Sequence, residues 1–285
     1  MYGDTENAAQ VLAAKLADRG VTDTALYDVS STPVSQLVAE LFKYSHVVLA
    51  SVTYNLNIFP PMHNFLADLK MLNMEKLNAL NFRSLHYHNA LGTDLTVELP
   101  EGHVWEAGND RTLSGQEFVA NMPTEELFTS PLKTGVNGVV CASVPLAHDG
   151  NIIDGFRFTV KDGRITEVHA RQGEEFLKAA VSVDEGASYF GEVALVPYDS
   201  PISNQKLLYY NTLFDENAAC HIAFGEAYPC LKDGRKMTRD ELKAHGLNDS
   251  ITHVDFMVGT SDLSIMGTTH DGREIPVFTN GNFAL

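Results

Sequence analysis

Histidines and carboxylates at short spacings near the C-terminal end of the sequence could bind a metal ion. His253 and Asp255 lie two residues apart in the alternating segment 252–258, and a strand there would direct both side chains to one side. Glu192 opens the apolar segment 191–196, where an isolated charge is costly unless it is paired or metal-bound. An H-x-D spacing alone is common on exposed edge strands, so its meaning depends on the other acidic residues.

A second group of polar residues lies in the apolar segment 212–228. Asn217 could cap a helix that begins at the next residue, and that helix would place His221 and Tyr228 two turns apart on one face. Glu216 comes directly before this predicted helix. Two interpretations stay open: a metal-binding group, or a capped helix whose histidine is satisfied by hydrogen bonds within the protein.

Two adjacent glutamates add to these candidates. Glu125 and Glu126 precede an apolar pair, Leu127 and Phe128. The sequence thus offers several carboxylates and two histidines with no thiolate among them. That ligand set suits a dinuclear hydrolase site for Zn, Co or Mn. The alternative for Glu192 is an ordinary ion pair.

The composition describes a globular and strongly acidic chain. It has 37 acidic and 20 basic residues, a formal net charge of −17 and 44% hydrophobic residues. That charge repels nucleic acid and anionic membranes and favours a peptide amine or a divalent metal, although solubility alone would also explain it. Three cysteines without metal-binding spacing and the absence of a leader pattern predict a cytoplasmic protein with no membrane span.

The N-terminal part predicts alternating helices and strands. In chain order the patterns indicate helix 7–19, strand 24–29, helix 33–44, strand 46–53 and helix 59–69. The second strand is a continuous apolar run, which is typical of buried parallel strands. This order predicts a doubly wound α/β unit.

Two loops of this unit, residues 1–7 and 51–55, resemble the flavin-binding loops of flavodoxin-like domains in flavodiiron-type proteins. The resemblance implies FMN contacts from Tyr2, Gly3, Thr5, Ser51, Thr53 and Asn55. The central strand that precedes the first loop in that family has no counterpart, and each backbone group left unpaired costs about 1–3 kcal/mol. We therefore expect residues 1–73 to form an incomplete flavodoxin-like fragment, and we favour a scaffold without FMN.

The remaining sequence, residues 74–285, resembles a different family. The segment 85–97 reads Leu-His-Tyr-His-Asn-Ala-Leu-Gly-Thr-Asp-Leu-Thr-Val. From there to Leu285 the sequence is similar to thermophilic-type metalloaminopeptidases of the aminopeptidase T and S kind. This resemblance implies an α+β catalytic domain with a mixed sheet, so the whole chain resembles a fusion of two unrelated families.

The family resemblance also implies roles for the candidate residues. The implied metal ligands are Glu126, Glu192, Glu216, His221, His253 and Asp255, which would hold two divalent ions (Zn, Co or Mn). Tyr228 would stabilise the developing oxyanion. Either Glu125 or Glu192 would be the general base, and the choice of Glu126 over Glu125 as ligand stays open.

The predicted function is a metal-dependent aminopeptidase that acts on peptides with a free N-terminus. The family resemblance further predicts a possible homodimer. Two alternatives remain: a fusion that binds metal but turns over poorly, and an FMN-binding flavodoxin-like electron carrier.

Overall fold

The chain divides into two compact units, Met1–Asn73 and Met74–Leu285. The computed structural model describes residues 4–41, 43–44, 47–50, 53–54, 57–58, 62, 72–112, 114–119, 126–200 and 202–285. The predicted helix 59–69 therefore lies, except for Met62, outside the described residues.

The N-terminal unit contains two helices and one short hairpin. Helix α1 (Asp4–Ala17) and helix α2 (Val34–Leu41) confirm the predicted helices 7–19 and 33–44. Strands β1 (Thr53–Tyr54) and β2 (Asn57–Ile58) form an antiparallel pair. Leu37 and Met62 are the buried members of a small apolar cluster in this unit.

The two strands predicted for this unit do not form in its described residues. Residues 24–28 and 47–50 have no strand partner, and Val48 in the second segment is 67% exposed. An apolar run is buried as a strand only when neighbouring strands pair with its edges and helices cover its faces. The prediction of a flavodoxin-like, doubly wound sheet is therefore wrong for the described residues.

The C-terminal unit is built mainly from two sheets. The larger, eight-stranded sheet has the order β13-β12-β9-β4-β3-β17-β18-β19. Its strands are β3 (Phe82–His88), β4 (Asp94–Glu98), β9 (Val136–Cys141), β12 (Arg157–Lys161), β13 (Arg164–His169), β17 (Ser264–Thr269), β18 (Glu274–Thr279) and β19 (Asn282–Phe283).

The smaller, five-stranded sheet has the order β16-β15-β14-β8-β5. Its strands are β5 (Glu106–Ala107), β8 (Leu127–Thr129), β14 (Phe190–Leu195), β15 (His221–Gly225) and β16 (His253–Met257). Two separate hairpins are formed by β6 (Asn109–Arg111) with β7 (Glu117–Val119) and by β10 (Leu146–His148) with β11 (Asn151–Ile153).

The helices are few and short. In the described residues they are α3 (72–80), α4 (Glu174–Ala180), α5 (Thr212–Asp215) and α6 (Arg239–Ala244), with 3-10 helices at Gly186–Ser188, Ser203–Gln205, Glu216–Ala218 and Gly234–Lys236. Within the part of the chain that the structure describes, no helix is long and apolar enough to cross a membrane.

All strand pairs of the described residues are antiparallel. The prediction of a mixed sheet is therefore wrong. A parallel pair needs a long crossover connection that is usually a helix, whereas hairpins such as β12–β13 connect neighbours here through a two-residue turn between Lys161 and Arg164.

The two sheets pack against each other through an aromatic core. Phe158 of the larger sheet contacts Phe256 and Phe224 of the smaller sheet, with ring centroids 5.4 Å and 6.0 Å apart at steep angles. Such edge-to-face contacts add to the apolar burial of the rings. One face of the smaller sheet is thereby committed to the core, and its other face is free to carry polar side chains.

Candidate metal centre

Five of the six predicted ligands project from the second face of the smaller sheet. Glu192 on β14 pairs with Ala223 on β15, which pairs in turn with Asp255 on β16. Directly paired residues share a face, and so do residues two apart on one strand. His221 and His253, each two residues from a member of that row, therefore lie on the same face.

The same strand register places the fifth ligand, Glu126, and leaves space for all five side chains. Glu126 immediately precedes β8, and Phe128, two residues later, pairs with Ala194 of β14. Glu126 therefore faces the same way as Glu192. Ala194 and Ala223 also point to this face between the larger groups, so small side chains leave space for the acidic and imidazole groups.

The first group of ligand atoms, called here the inner cluster, consists of Glu126, Glu192 and His221. All three residues are buried, and their ligand atoms lie within 4.8 Å of one another. Nε2 of His221 is 3.2 Å from Oε2 of Glu126. Nδ1 of His221 is 3.2 Å from the carbonyl oxygen of Ala219. A proton on Nδ1 donated to that carbonyl directs Nε2 towards the carboxylates.

The second group, called here the outer cluster, consists of Glu192, His253 and Asp255, whose ligand atoms also lie within 4.8 Å of one another. Nε2 of His253 is 3.1 Å from Oε2 of Glu192 and 3.4 Å from Oδ1 of Asp255. Nδ1 of His253 is 2.8 Å from the carbonyl oxygen of Glu226. Glu192 belongs to both clusters and therefore joins them.

The proximity of these groups changes their protonation. Burial raises the pKa of Glu192 to about 7; the charge of Asp255 adds to this rise and the hydrogen bond with His253 opposes it. Burial by itself would lower the pKa of His221, but the carboxylates, led by Glu126, raise it to about 10. In the same way Asp255 and Glu192 overcome burial and raise the pKa of His253 to about 11.

This donor set fits a divalent metal ion. Carboxylate oxygens and imidazole nitrogens are the usual ligands of Zn, Co and Mn. Oδ1 of Asp255 is buried without a hydrogen bond, because its 3.4 Å contact with His253 misses hydrogen-bond geometry. A buried carboxylate oxygen without a partner is costly in water-free surroundings, and a cation held between the two side chains would satisfy it.

Tyr228 lies beside the outer cluster, although the helix predicted to bring it there is absent. Its ring centroid is 4.9 Å from that of His253 and 5.5 Å from that of Phe128. Partial burial and then the surrounding carboxylates, Glu192 first, hold the pKa of the Tyr228 phenol well above its usual range. The phenol therefore keeps its proton at neutral pH.

The helix prediction from residue 218 is wrong. Residues His221–Gly225 instead form a central strand of the smaller sheet. The reason is that Ile222 and Phe224 pack in the core between strands on both sides, as a continuous apolar run does in a buried strand. Asn217 lies within a 3-10 helix and makes no N-cap for an α-helix.

Glu216, the sixth predicted ligand, is buried in the 3-10 helix that contacts β16. It lies outside the two clusters defined above, but its charge is among those that raise the pKa of Tyr228. Its role as a ligand stays a prediction. Glu125 lies outside the described residues, and its candidate role as general base also stays a prediction.

The predicted FMN residues do not form a described site. Tyr2, Gly3, Ser51 and Asn55 lie outside the described residues. Thr5 lies in α1 and Thr53 begins β1. Since the sheet expected to support the two loops does not form in the described residues, FMN binding has no structural support here.

Sequence reasoning missed two residues that shape the outer cluster. Glu226 supplies the carbonyl oxygen that contacts His253. Gly191 lies at a strand irregularity before Glu192, where an added Cβ would be 2.1 Å from that same carbonyl oxygen. A glycine just before a carboxylate inside a strand was a possible signal for a bulge. Nothing in the sequence indicates a backbone carbonyl contact.

Comparisons with known proteins agree with this chemistry. The family model for thermophilic metalloprotease (M29) matches residues 65–283. Aminopeptidase AmpS of Bacillus subtilis is 54% identical over 213 residues, which cover 74% of this chain and 52% of AmpS. Aminopeptidase T of Thermus thermophilus is 44% identical over 209 residues, which cover 73% of this chain and 51% of that protein.

A solved structure shows a similar fold. Wild-type AmpT from Thermus thermophilus superposes with a TM-score of 0.70 at 42% sequence identity, covering 75% of this chain and 53% of that chain. The chain thus spans about half the length of the curated relatives it matches.

Proposed function

This chain belongs to the thermophilic metalloprotease (M29) family, and on that premise we propose that it is a metal-dependent aminopeptidase. Its substrates are peptides with a free N-terminus, from which it releases the first residue. The observation that carries the proposal is the shared face of the smaller sheet, where Glu192 joins two groups of metal-binding side chains.

We propose that two divalent ions bind, one to each cluster. Glu126 and His221 would hold the first ion, His253 and Asp255 would hold the second, and Glu192 would contact both. Zinc, cobalt and manganese all accept these ligands. The burial of both clusters supports the proposal, because buried carboxylates are retained where they are paired or bind a metal.

Divalent ions, when bound, supply Lewis acidity that polarises a carbonyl and makes water acidic enough to give hydroxide at neutral pH. The residues of the chain do the rest. Tyr228, whose phenol stays protonated, donates a hydrogen bond to the oxyanion that develops at the scissile carbonyl. Either Glu125, or Glu192 through an oxygen that stays free of the ions, accepts the proton of the attacking water and passes it to the leaving amine.

The acidic face also accounts for the proposed restriction to N-terminal residues. A free peptide amine has a lone pair that could bind an ion held by these carboxylates. A peptide bond inside a chain offers no such group. Binding energy at the amine would therefore position only the first peptide bond for attack.

The proposal is tested with one purified sample and two matched substrates. Leucine p-nitroanilide carries a free amine, and N-acetyl-leucine p-nitroanilide differs only in having that amine blocked. We expect release of p-nitroaniline from the first alone, loss of release after chelation, and recovery when Zn, Co or Mn is added back. Equal cleavage of the two substrates, or activity that survives complete chelation, would show that the proposed function is wrong.

A homodimer and a cytoplasmic location stay predictions. Sedimentation equilibrium of the purified chain measures the first. Two bound metals without turnover would support the alternative in which the chain binds metal but is a poor catalyst.

A further inference from the structure

We propose that Glu226 is a positioning residue for His253, and that it sets the affinity of the outer cluster for its ion. The inference rests on the proposed metal-dependent function. It concerns a residue that contributes no ligand atom to either cluster. Glu226 acts on the cluster through its backbone carbonyl and secures that carbonyl through its own side chain.

The carbonyl oxygen of Glu226 orients the imidazole of His253. It lies 2.8 Å from Nδ1, so Nδ1 carries the proton and donates it to this oxygen. Nε2 is then the atom that faces Oε2 of Glu192, 3.1 Å away. A histidine that donates its second N–H to a fixed acceptor keeps its tautomer and ring orientation, and it becomes a better metal ligand.

The position of this carbonyl is closely restricted by the backbone. The N–H of Glu226 donates to the carbonyl oxygen of Thr252 at 2.6 Å. On the other side, the absence of a side chain at Gly191 lets β14 approach, since a Cβ there would be 2.1 Å from the Glu226 oxygen. Gly225 directly before it has φ +106, a conformation that favours glycine.

The carboxylate of Glu226 fixes the position of the same carbonyl through contacts with two other segments of the chain. Its Oε2 accepts the N–H of Ser250 at 2.6 Å, and its Oε1 is 3.4 Å from a guanidinium nitrogen of Arg239. Arg239 is itself paired with Asp249 at 2.6 Å. The side chain thus ties the carbonyl to the segment that leads into β16, where His253 is the first residue.

His221 offers an internal comparison. Its Nδ1 also faces a backbone carbonyl, but that carbonyl belongs to Ala219, whose methyl side chain cannot form a second attachment. Changes at Glu226 should therefore weaken the outer cluster and leave the inner cluster unchanged. A general loss of structure would affect both.

The test uses the full chain and three variants: Glu226→Gln, Glu226→Ala and the control Glu241→Gln. Glu241 also accepts a backbone N–H, that of Thr238 at 2.7 Å, within the cap of the helix that carries Arg239. Its hydrogen bonds go to Thr238 and not to a residue of either cluster. Calorimetric zinc titration of the chelated proteins measures each binding step. The visible spectrum of the cobalt-loaded proteins reports the geometry at the metal.

Glu226→Ala keeps the carbonyl and removes only the side chain that fixes it, so we expect it to weaken one binding step by up to about 10-fold, the lower end of the loss found when the partner of a metal-bound histidine is itself removed. Glu226→Gln, which can still accept from Ser250, should lose less. The second binding step and the control should match the unmodified chain. Equal weakening of both steps, or zinc binding by Glu226→Ala indistinguishable from that of the unmodified chain, would overturn the inference.

The result separates this inference from the proposed function. If the unmodified chain binds zinc and releases N-terminal residues while the Glu226 variants do the same, only the role of Glu226 is wrong. If the unmodified chain binds no zinc, the proposed function fails and the inference fails with it.

Discussion

The inner and outer clusters use similar side chains but differ in their surroundings. The His221 side chain of the inner cluster is 1% exposed, whereas that of His253 in the outer cluster is 21% exposed and has the ring of Tyr228 beside it. The outer cluster also contains the carboxylate oxygen that lacks a hydrogen bond. Under the proposed function, the inner cluster would mainly hold an ion in place and the outer cluster would face the substrate.

The largest effect should come from breaking both clusters at once. Glu192→Gln keeps the size of the side chain but removes the charge shared by the two clusters. We expect the metal content to fall and the rate of leucine p-nitroanilide hydrolysis to drop about 10³-fold or more, as measured by elemental analysis and initial rates. Full activity with a normal metal content would remove Glu192 from the centre of the site.

A smaller effect should be confined to the outer cluster. Tyr228→Phe keeps the ring contacts with Phe128 and His253 and removes only the hydroxyl group. If this hydroxyl stabilises the oxyanion, kcat should fall about 10²-fold while the metal content and the KM stay unchanged. A normal kcat would show that the phenol has no part in the chemistry.

The two histidines should differ in their effect on stability. In chelated protein, His221→Ala leaves Glu126 buried without its partner, and we expect a loss of about 3 kcal/mol in the free energy of unfolding. His253→Ala also leaves two buried carboxylates, Glu192 and Asp255, without their partner, but the His253 side chain is 21% exposed, so water can partly replace it and a smaller loss of about 2 kcal/mol is expected. Urea unfolding measures both values. A larger loss for His253→Ala would contradict the expectation that the inner cluster contributes more to the stability of the chelated protein.

A change of pH should alter the stability of the chelated protein more gradually than any of these substitutions. Both histidine pKa values are raised from 6.5, to about 10 for His221 and about 11 for His253. Their stabilisation of the chelated protein is therefore complete below pH 6.5 and is lost as the pH rises through 10 to 11.

Glu192 also makes the chelated protein less stable as the pH rises, but it does so at lower pH. Its pKa is raised from 4.5 to about 7, so its contribution is lost between those values as the pH rises. A metal must displace these protons, and zinc affinity should increase with pH. Urea unfolding of the chelated protein across pH 4 to 11 and zinc titration across pH 6 to 9 check these trends. Zinc affinity that falls with rising pH would contradict the pKa shifts.

Two of the strands that carry the site could be predicted from the sequence. The alternation in 252–258 predicted that His253 and Asp255 share a face, and β16 confirms this. The apolar run after Gly191 likewise predicted β14. These predictions succeed because a side-chain period of two is a local property of the chain.

The parts that failed depend on distant neighbours. The segment around His221 was predicted as a helix from a capping residue and a seven-residue spacing. It forms a strand because it pairs with β14 on one side and β16 on the other. In the N-terminal unit, an apolar run suggested a buried strand at 46–53, yet Val48 is largely exposed. The contact between His253 and the Glu226 carbonyl could not be predicted either, because it involves a backbone atom.

The most direct test of the central claim is the anomalous scattering of a zinc-loaded crystal at the zinc absorption edge. The account predicts two peaks on the same face of the smaller sheet, about 3.5–4 Å apart. One should contact Glu126 and His221, the other His253 and Asp255, with Glu192 beside both. A single peak, or peaks away from these side chains, would contradict the division into two joined clusters.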